Sequence, residues 1–136
     1  MVKNLAIVKK ACAIVNNKCG IMSDDVCKSI VYACDEILAG KYQEEFLTDM
    51  VQGGAGTSAN MNANEVIANI ANEHLGGGLG TYEHVHPNDH VNMGQSTNDV
   101  YPSAGKLGAL DLIQGAIKEL NRLYNALMNK SDEFST

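Results

Sequence analysis

The stretch from His86 to Pro102, HPNDHVNMGQSTNDVYP, decides how the chain is read. It gathers histidines, amides, carboxylates and hydroxyls, then runs straight into the longest helical pattern in the sequence. The first turn of a helix has N–H groups without intrahelical partners and a partial positive charge. Hydroxyls and amides placed there can hold a carboxylate or phosphate without a formal cation. Ser96, Thr97 and Asn98 are also residue types that satisfy a helix start well, so an N-cap cluster and an anion site are both open readings here. Pro102 lacks an N–H and is tolerable only near a helix start. The S-T-N-D-x-x-P pattern therefore predicts Ser96 and Thr97 at the N-terminal end of the long helix, with their hydroxyls facing a cavity.

Upstream lies a second polar stretch, GGAGTSANMNANEVIANIANEHLG, from Gly53 to Gly76. Glycines at this density let the backbone take positive φ and approach a ligand closely, while Thr57 and Ser58 can cap or coordinate. It lacks the G-K-[ST] ending of a P-loop, and no clear strand precedes it as a dinucleotide fingerprint requires. A helix is expected from Met61, turning Val66, Ile67, Ile70, Ala71 and Leu75 inward, with Gly76 to Gly80 as a flexible connection. His84, His86 and His90 follow. A His-x-His pair with a third histidine four residues on is conceivable as a metal site, but hydrogen-bonded structural imidazoles are the commoner case, and no metal is expected.

Two scaffold helices precede these stretches. The first runs from about Lys3 to Asn16 on Leu5, Val8, Cys12 and Val15, closed by Gly20. The second has Ser23 as N-cap, Asp24 and Asp25 in its first turn, and an apolar stripe of Val26, Ile30, Ala33, Ile37 and Leu38 that stops at Gly40. Tyr42 to Phe46 adds a short turn, and only Phe46 to Val51 could be briefly extended, so the class is all-α. Cys12, Cys19, Cys27 and Cys34 form no C-x-x-C pair, and they read as small apolar side chains rather than as metal ligands or disulfides.

Composition excludes several function classes. The formal net charge of −6, with Arg122 the only arginine, offers no basic patch for nucleic acid. No apolar run is long enough to span a membrane and the start is not signal-like, so a soluble, cytoplasmic protein is expected. A chain of 136 residues is long enough to bury a real core.

Taken together and in this order, GGAGTSANMNANEVIAN (Gly53 to Asn69) and HPNDHVNMGQSTNDVYP resemble the aspartase/fumarase superfamily and, within it, the aspartate ammonia-lyases. AGKYQEEFLTDM (Ala39 to Met50) fits the same family, and the resemblance covers the whole chain. Ala55 to Ser58, where fumarases tend to have S-G-T-Q, and STND rather than S-S-N-D at Ser96 to Asp99, lean toward aspartase over class II fumarase. Ile70 departs from the family, which often has arginine after I-A-N.

The resemblance implies a serine alkoxide that removes a Cβ proton from L-aspartate. The resulting aci-carboxylate expels ammonia to leave fumarate, and no cofactor is implied. By position, Thr57, Ser96 and Thr97 match carboxylate-binding residues and Asn98 matches the contact to the amino group. His86, Asn88 and Asp89 match a loop that in fumarases can bind a second carboxylate. The family's G-S-S-x-M-P-x-K-x-N-P loop, with its base serine, and its T-H segment do not occur in this sequence. The resemblance therefore implies part of an enzyme: residues 1–98 as a partial N-terminal lyase domain and residues 99–136 as the first helix of a central helical bundle. Such a part is expected to be inactive alone and to belong to a homotetramer. A non-catalytic helical oligomerisation module is the reading from a different class. Leu110, Ile113, Ile117, Leu120, Tyr124 and Leu127 form a seam through which the last helix is expected to self-associate.

Overall fold

In the computed structural model, residues 1–49 and 54–135 are described. Four helices carry the chain: α1 (Val2–Lys18), α2 (Asp24–Leu38), α3 (Thr57–His74) and α4 (Thr97–Glu133). A 3₁₀ turn at Gln43–Glu45 and a π-turn at Pro87–Val91 punctuate the connections. Among the described residues there is no strand, and the all-α class holds. The extended piece expected at Phe46 to Val51 is absent as far as Asp49, and its last two residues lie outside the described residues.

Helix α2 follows its local signals closely. Ser23 caps it by accepting from the Val26 N–H, Asp24 and Asp25 occupy the positive first turn, and Ile30, Ala33 and Ile37 are fully buried. Helix α1 is rotated from the expected stripe. Val15 is 56% exposed, and the buried face is Leu5, Ala6, Lys9 and Ala13. Small alanines let α1 lie close against α2, and that gain outweighs covering the larger Val15, while Val8 is half-buried against the smaller cluster. Gly20, at φ +75°, ends α1 as the sequence indicates, with the Ile21 N–H reaching back to the Asn16 carbonyl.

Helix α3 starts four residues before the expected Met61. Gly56, not Thr57 or Ser58, is its N-cap, and no side chain caps it. Asparagines of modest helix propensity made this turn read as loop, but Asn60 and Asn64 are fully buried and held by tertiary partners. Val66, Ile67, Ile70 and Ala71 face the core as expected.

Two compact units emerge, Met1–Gly105 and Lys106–Thr136. In the first, α1, α2 and α3 enclose the main core, which Val85 and Val91 complete. A smaller cluster joins Leu5 of α1, Ala63 of α3, and Val100 and Ala104 from the start of α4. In the second unit, Leu110, Ile113, Ile117, Leu120, Tyr124 and Leu127 are all exposed.

The irregular segment between α3 and α4 is held by side-chain amides. Asn72, fully buried, accepts from the backbone N–H of His84 (2.9 Å) and Val85 (3.1 Å), and donates to the Val85 carbonyl at 2.7 Å. Removing such a hub leaves the two buried backbone groups of Val85 and the part-buried His84 N–H short of a partner, each worth about 1 kcal/mol or more. Asn72→Ala is expected to lower unfolding stability by roughly 2–3 kcal/mol, read as a reduced denaturation midpoint at constant m-value. A loss under 0.5 kcal/mol would refute the role of Asn72 as the pin.

Candidate functional site

The polar stretch folds into two consecutive devices. The first is the π-turn. His86 precedes it, and its Nδ1 accepts from the backbone N–H of Asn88 (3.3 Å) and Asp89 (3.2 Å). The Asp89 carboxylate also lies 3.3 Å from that nitrogen. One nitrogen cannot both accept two N–H bonds and donate to a carboxylate, and the two backbone donors decide the tautomer: the proton sits on Nε2. His86, Asn88 and Asp89 are thus drawn together by local geometry, and the imidazole Nε2–H has no partner among the described hydrogen bonds. His90 is committed elsewhere, its Nδ1 accepting from the His86 backbone at 2.9 Å. Among the described residues no group of three or more His, Cys, Asp or Glu is gathered that could hold a metal.

The second device is the entrance of α4. The Ser96 carbonyl accepts from the N–H groups of Asp99 and Val100, and its Oγ accepts from the Asn98 N–H at 3.2 Å. Thr97 is the first residue of the helix. The expectation that both residues stand at the N-terminal end is met. None of the three described cavities is lined by Ser96 or Thr97. The one of about 580 Å³ lies between the 3₁₀ turn, α3 and Leu79–Gly80, remote from these residues in its lining. Ser96 and Asn98 are exposed, while the Thr97 hydroxyl accepts a 3.0 Å bond from Asn60 Nδ2. Pro102 sits in the second turn, so the Asn98 carbonyl has no i+4 N–H donor.

Helices α3 and α4 meet at close quarters here. Gly56 has φ +80°, and a Cβ on it would lie 2.3–2.5 Å from the Tyr101 ring. Only glycine fits, on both counts. Gly56 and Asn60 of α3 thus face Tyr101 and Thr97 of α4, four residues apart on each helix, and exposed Thr57 stands beside this contact. Among the described hydrogen bonds, none joins Thr57 to Ser96–Asn98, and none joins the His86–Asp89 group to either.

Behind Thr97 is a buried network that the sequence did not reveal. Lys9 is fully buried, and its Nζ donates to Asn92 Oδ1 (2.8 Å) and Gln95 Oε1 (2.9 Å). Asn92 Oδ1 also receives the Nδ2 groups of Asn60 and Asn64, both at 3.3 Å. The readable signal was phase. Lys9 falls in step with Leu5 and Ala13, and Asn60 and Asn64 fall in step with Ile67 and Ala71, so each occupies an apolar face.

Comparison with known proteins adds to this geometry. The family model described as Lyase matches residues 1–136. The chain belongs to this lyase family, the aspartase/fumarase superfamily. It is 46% identical over 134 residues to an aspartate ammonia-lyase of Helicobacter pylori, a match covering 98% of this chain and 29% of that protein. It is also 46% identical over 136 residues to a class II fumarate hydratase of Nitrosomonas europaea, covering 99% of this chain and 29% of that protein. A crystal structure of a fumarate lyase:delta crystallin from Brucella melitensis superposes with a TM-score of 0.83 at 52% identity, covering 99% of this chain and 31% of that one. The chain therefore spans about 29% of the length of the curated relatives it matches. No helix among its described residues is long and apolar enough to cross a membrane.

Burial of Lys9 in this lyase has a measurable consequence. Desolvation pushes its ammonium down to about 8, with Cys12 and Cys34 opposing the shift. The folded value lies below the ordinary 10.5, so between the two the unfolded chain binds more protons and stability rises with pH. The penalty, on the order of 3 kcal/mol, is fully present below pH 8 and is released as pH climbs toward 10.5. The stability of wild type relative to Lys9→Gln is therefore expected to increase from pH 8 to 10 in denaturant titrations. A difference that stays constant or shrinks over that window would contradict it.

Proposed function

We propose that the enzyme to which this chain belongs eliminates ammonia from L-aspartate, giving fumarate. A serine base outside these residues takes the Cβ proton, and charge accumulates on the adjacent carboxylate as an aci-carboxylate. Its collapse expels ammonia. Thr57, Ser96 and Thr97 bind the substrate carboxylates, Asn98 contacts the amino group, and His86, Asn88 and Asp89 form a second carboxylate site. The observation that carries the reading is the prevalence of aspartate ammonia-lyases at 46–49% identity among the relatives. The site chemistry supports it: a helix entrance with hydroxyls and an imidazole N–H at the π-turn supply donors of the kind an oxyanion requires, although the Asp89 carboxylate beside His86 is an acceptor. Class II fumarase is the second reading, favoured by the equal identity to the Nitrosomonas protein.

Residues 99–136 are proposed as the first helix of a central bundle, in a homotetramer located in the cytoplasm. The exposed Leu110–Leu127 seam supports this assembly, since each large apolar side chain left in water forgoes about 1.5–3 kcal/mol.

Two measurements test the proposal. The complete enzyme is assayed with aspartate, malate and argininosuccinate. Fumarate is expected from aspartate, with Thr97→Val lowering kcat/KM about a hundredfold, the usual effect of deleting one oxyanion donor. Malate turnover without aspartate turnover would replace aspartase by fumarase, and no turnover of any would favour a non-catalytic oligomerisation module. The 136-residue chain alone is expected to be inactive and to sediment as an oligomer. Fumarate production by it that vanishes on Thr97→Ala, or a strict monomer at high concentration, would overturn the corresponding part.

A further inference from the structure

Lys9 occupies a position where a scaffold lysine has no need to be. An ammonium has three donors and no acceptor, so whatever touches it must present an oxygen. Asn92 and Gln95 do so, at 2.8 and 2.9 Å from Nζ. Once Asn92 Oδ1 faces Lys9, Asn60 and Asn64 can bond it only through their Nδ2 groups, as they do at 3.3 Å. The second hydrogen of Asn60 Nδ2 then goes to Thr97 Oγ1 at 3.0 Å. A hydroxyl has one donor and two acceptor lone pairs. With a lone pair taken by Asn60, the Thr97 proton is left for something outside the network.

The arrangement carries a visible cost. The Oδ1 atoms of Asn60 and Asn64 are both buried and have no partner, although both residues are fully buried. Turning Asn60 over would let its oxygen accept the Thr97 proton, but it would also set that oxygen against Asn92 Oδ1, which is held in place by Lys9 on one side and by the 3.2 Å bond from Asn92 Nδ2 to the Gln95 carbonyl on the other. The two orphaned oxygens are what the network bears to keep one direction.

We infer that Lys9 is a positioning residue: as a buried donor-only cation it fixes the direction of the Asn92–Asn60 relay and so keeps the Thr97 hydroxyl proton available to a substrate carboxylate. The inference rests on the reading of Thr97 as a carboxylate-binding residue. Lys9 itself touches no substrate. The titratable groups facing it are Cys12 on its own helix and Cys34 on α2, both held as thiols by burial, while α3 and the segment after the π-turn present only amides to it.

The test is a double-mutant cycle in the complete enzyme, read as the Kd of fumarate by calorimetric titration. Lys9→Gln is one atom shorter but keeps a polar, hydrogen-bonding end that can present either its oxygen or its nitrogen to Asn92. It is expected to weaken fumarate about three- to tenfold, the scale of one hydrogen bond. In a Thr97→Val background, where there is no hydroxyl to direct, the same change is expected to have no effect. A scaffold lysine would weaken binding equally in both backgrounds, and that result, or no weakening by Lys9→Gln alone, overturns the inference while leaving the site reading intact. If Thr97→Val does not alter fumarate binding, the site reading fails and the inference falls with it. Should Lys9→Gln not fold, the wild-type pH profile decides. Above about pH 8 the amine loses its charge and one of its three donors, so its hold on the two amide oxygens weakens; the wild-type Kd is expected to rise through pH 8 and the Thr97→Val Kd to stay flat. Parallel profiles overturn the inference.

Discussion

The structure of the first unit depends on one constraint: polar groups buried on the inner face of α3 must find partners. An amide taken out of water without a hydrogen bond costs about 1–3 kcal/mol by mutational measures. Helix α3 carries asparagines at positions 60, 62, 64, 69 and 72, and each reaches outside its own turn or braces the helix where it meets a loop. Asn62 bridges Glu45 and Leu47, Asn69 accepts from Gly80, Asn72 holds His84 and Val85, and Asn60 and Asn64 hold Asn92. The apolar core brings three helices together without specifying how the loops lie. The amides specify it, because a hydrogen bond fixes direction and distance where apolar packing fixes only proximity.

This division of labour matters because every residue assigned to the site sits at a helix entrance or on a connecting segment. A donor misplaced by 1 Å loses much of its catalytic value. The 86–97 segment has little regular structure beyond one π-turn, yet it is tied at both ends: at Val85 by Asn72, and at Asn92 and Thr97 by Asn60. Lys9 adds a third tie through Asn92 and Gln95. Its partners are amide oxygens rather than a carboxylate, so its charge is not cancelled within the network. A buried carboxylate partner would have cancelled the ammonium charge; two neutral amides satisfy its donors without doing so.

What the sequence disclosed follows from which forces are local. Ser23, Asp24 and Asp25 act on backbone groups within one turn, so the start of α2 was legible. The same holds for Ser96 and Thr97 at the entrance of α4. The face of α1 was not, because choosing Ala6 and Ala13 over Val15 depends on how closely α2 approaches. The first turn of α3 was missed because Thr57, Ser58, Asn60 and Asn62 are weak helix formers, and the partners that hold Asn60 and Asn62 lie thirty-seven and fifteen positions away. Lys9 drew no reading from the sequence for the same reason: a lysine is almost never fully buried unless paired, and its partners lie 83 and 86 residues on. Lys9, Asn60 and Asn64 were each in phase with an apolar stripe, and that phase was the trace of burial left in the sequence.

The contact between Gly56 and Tyr101 shows how much of a site one such unit can supply. It brings the first turn of α3 against the first turns of α4, so that two helix entrances serve one neighbourhood. An anion at an exposed helix N-terminus gains about 0.3–1 kcal/mol. Two such termini and a few hydroxyls in open water fall short of the roughly 4 kcal/mol that even millimolar binding requires. Thr57, Ser96 and Asn98 are exposed here. Their donors become strong only where water is excluded and the effective dielectric falls. A lyase that uses these hydroxyls must therefore close the neighbourhood with further walls, and the rigid network behind Thr97 is of value only to a site completed in that way.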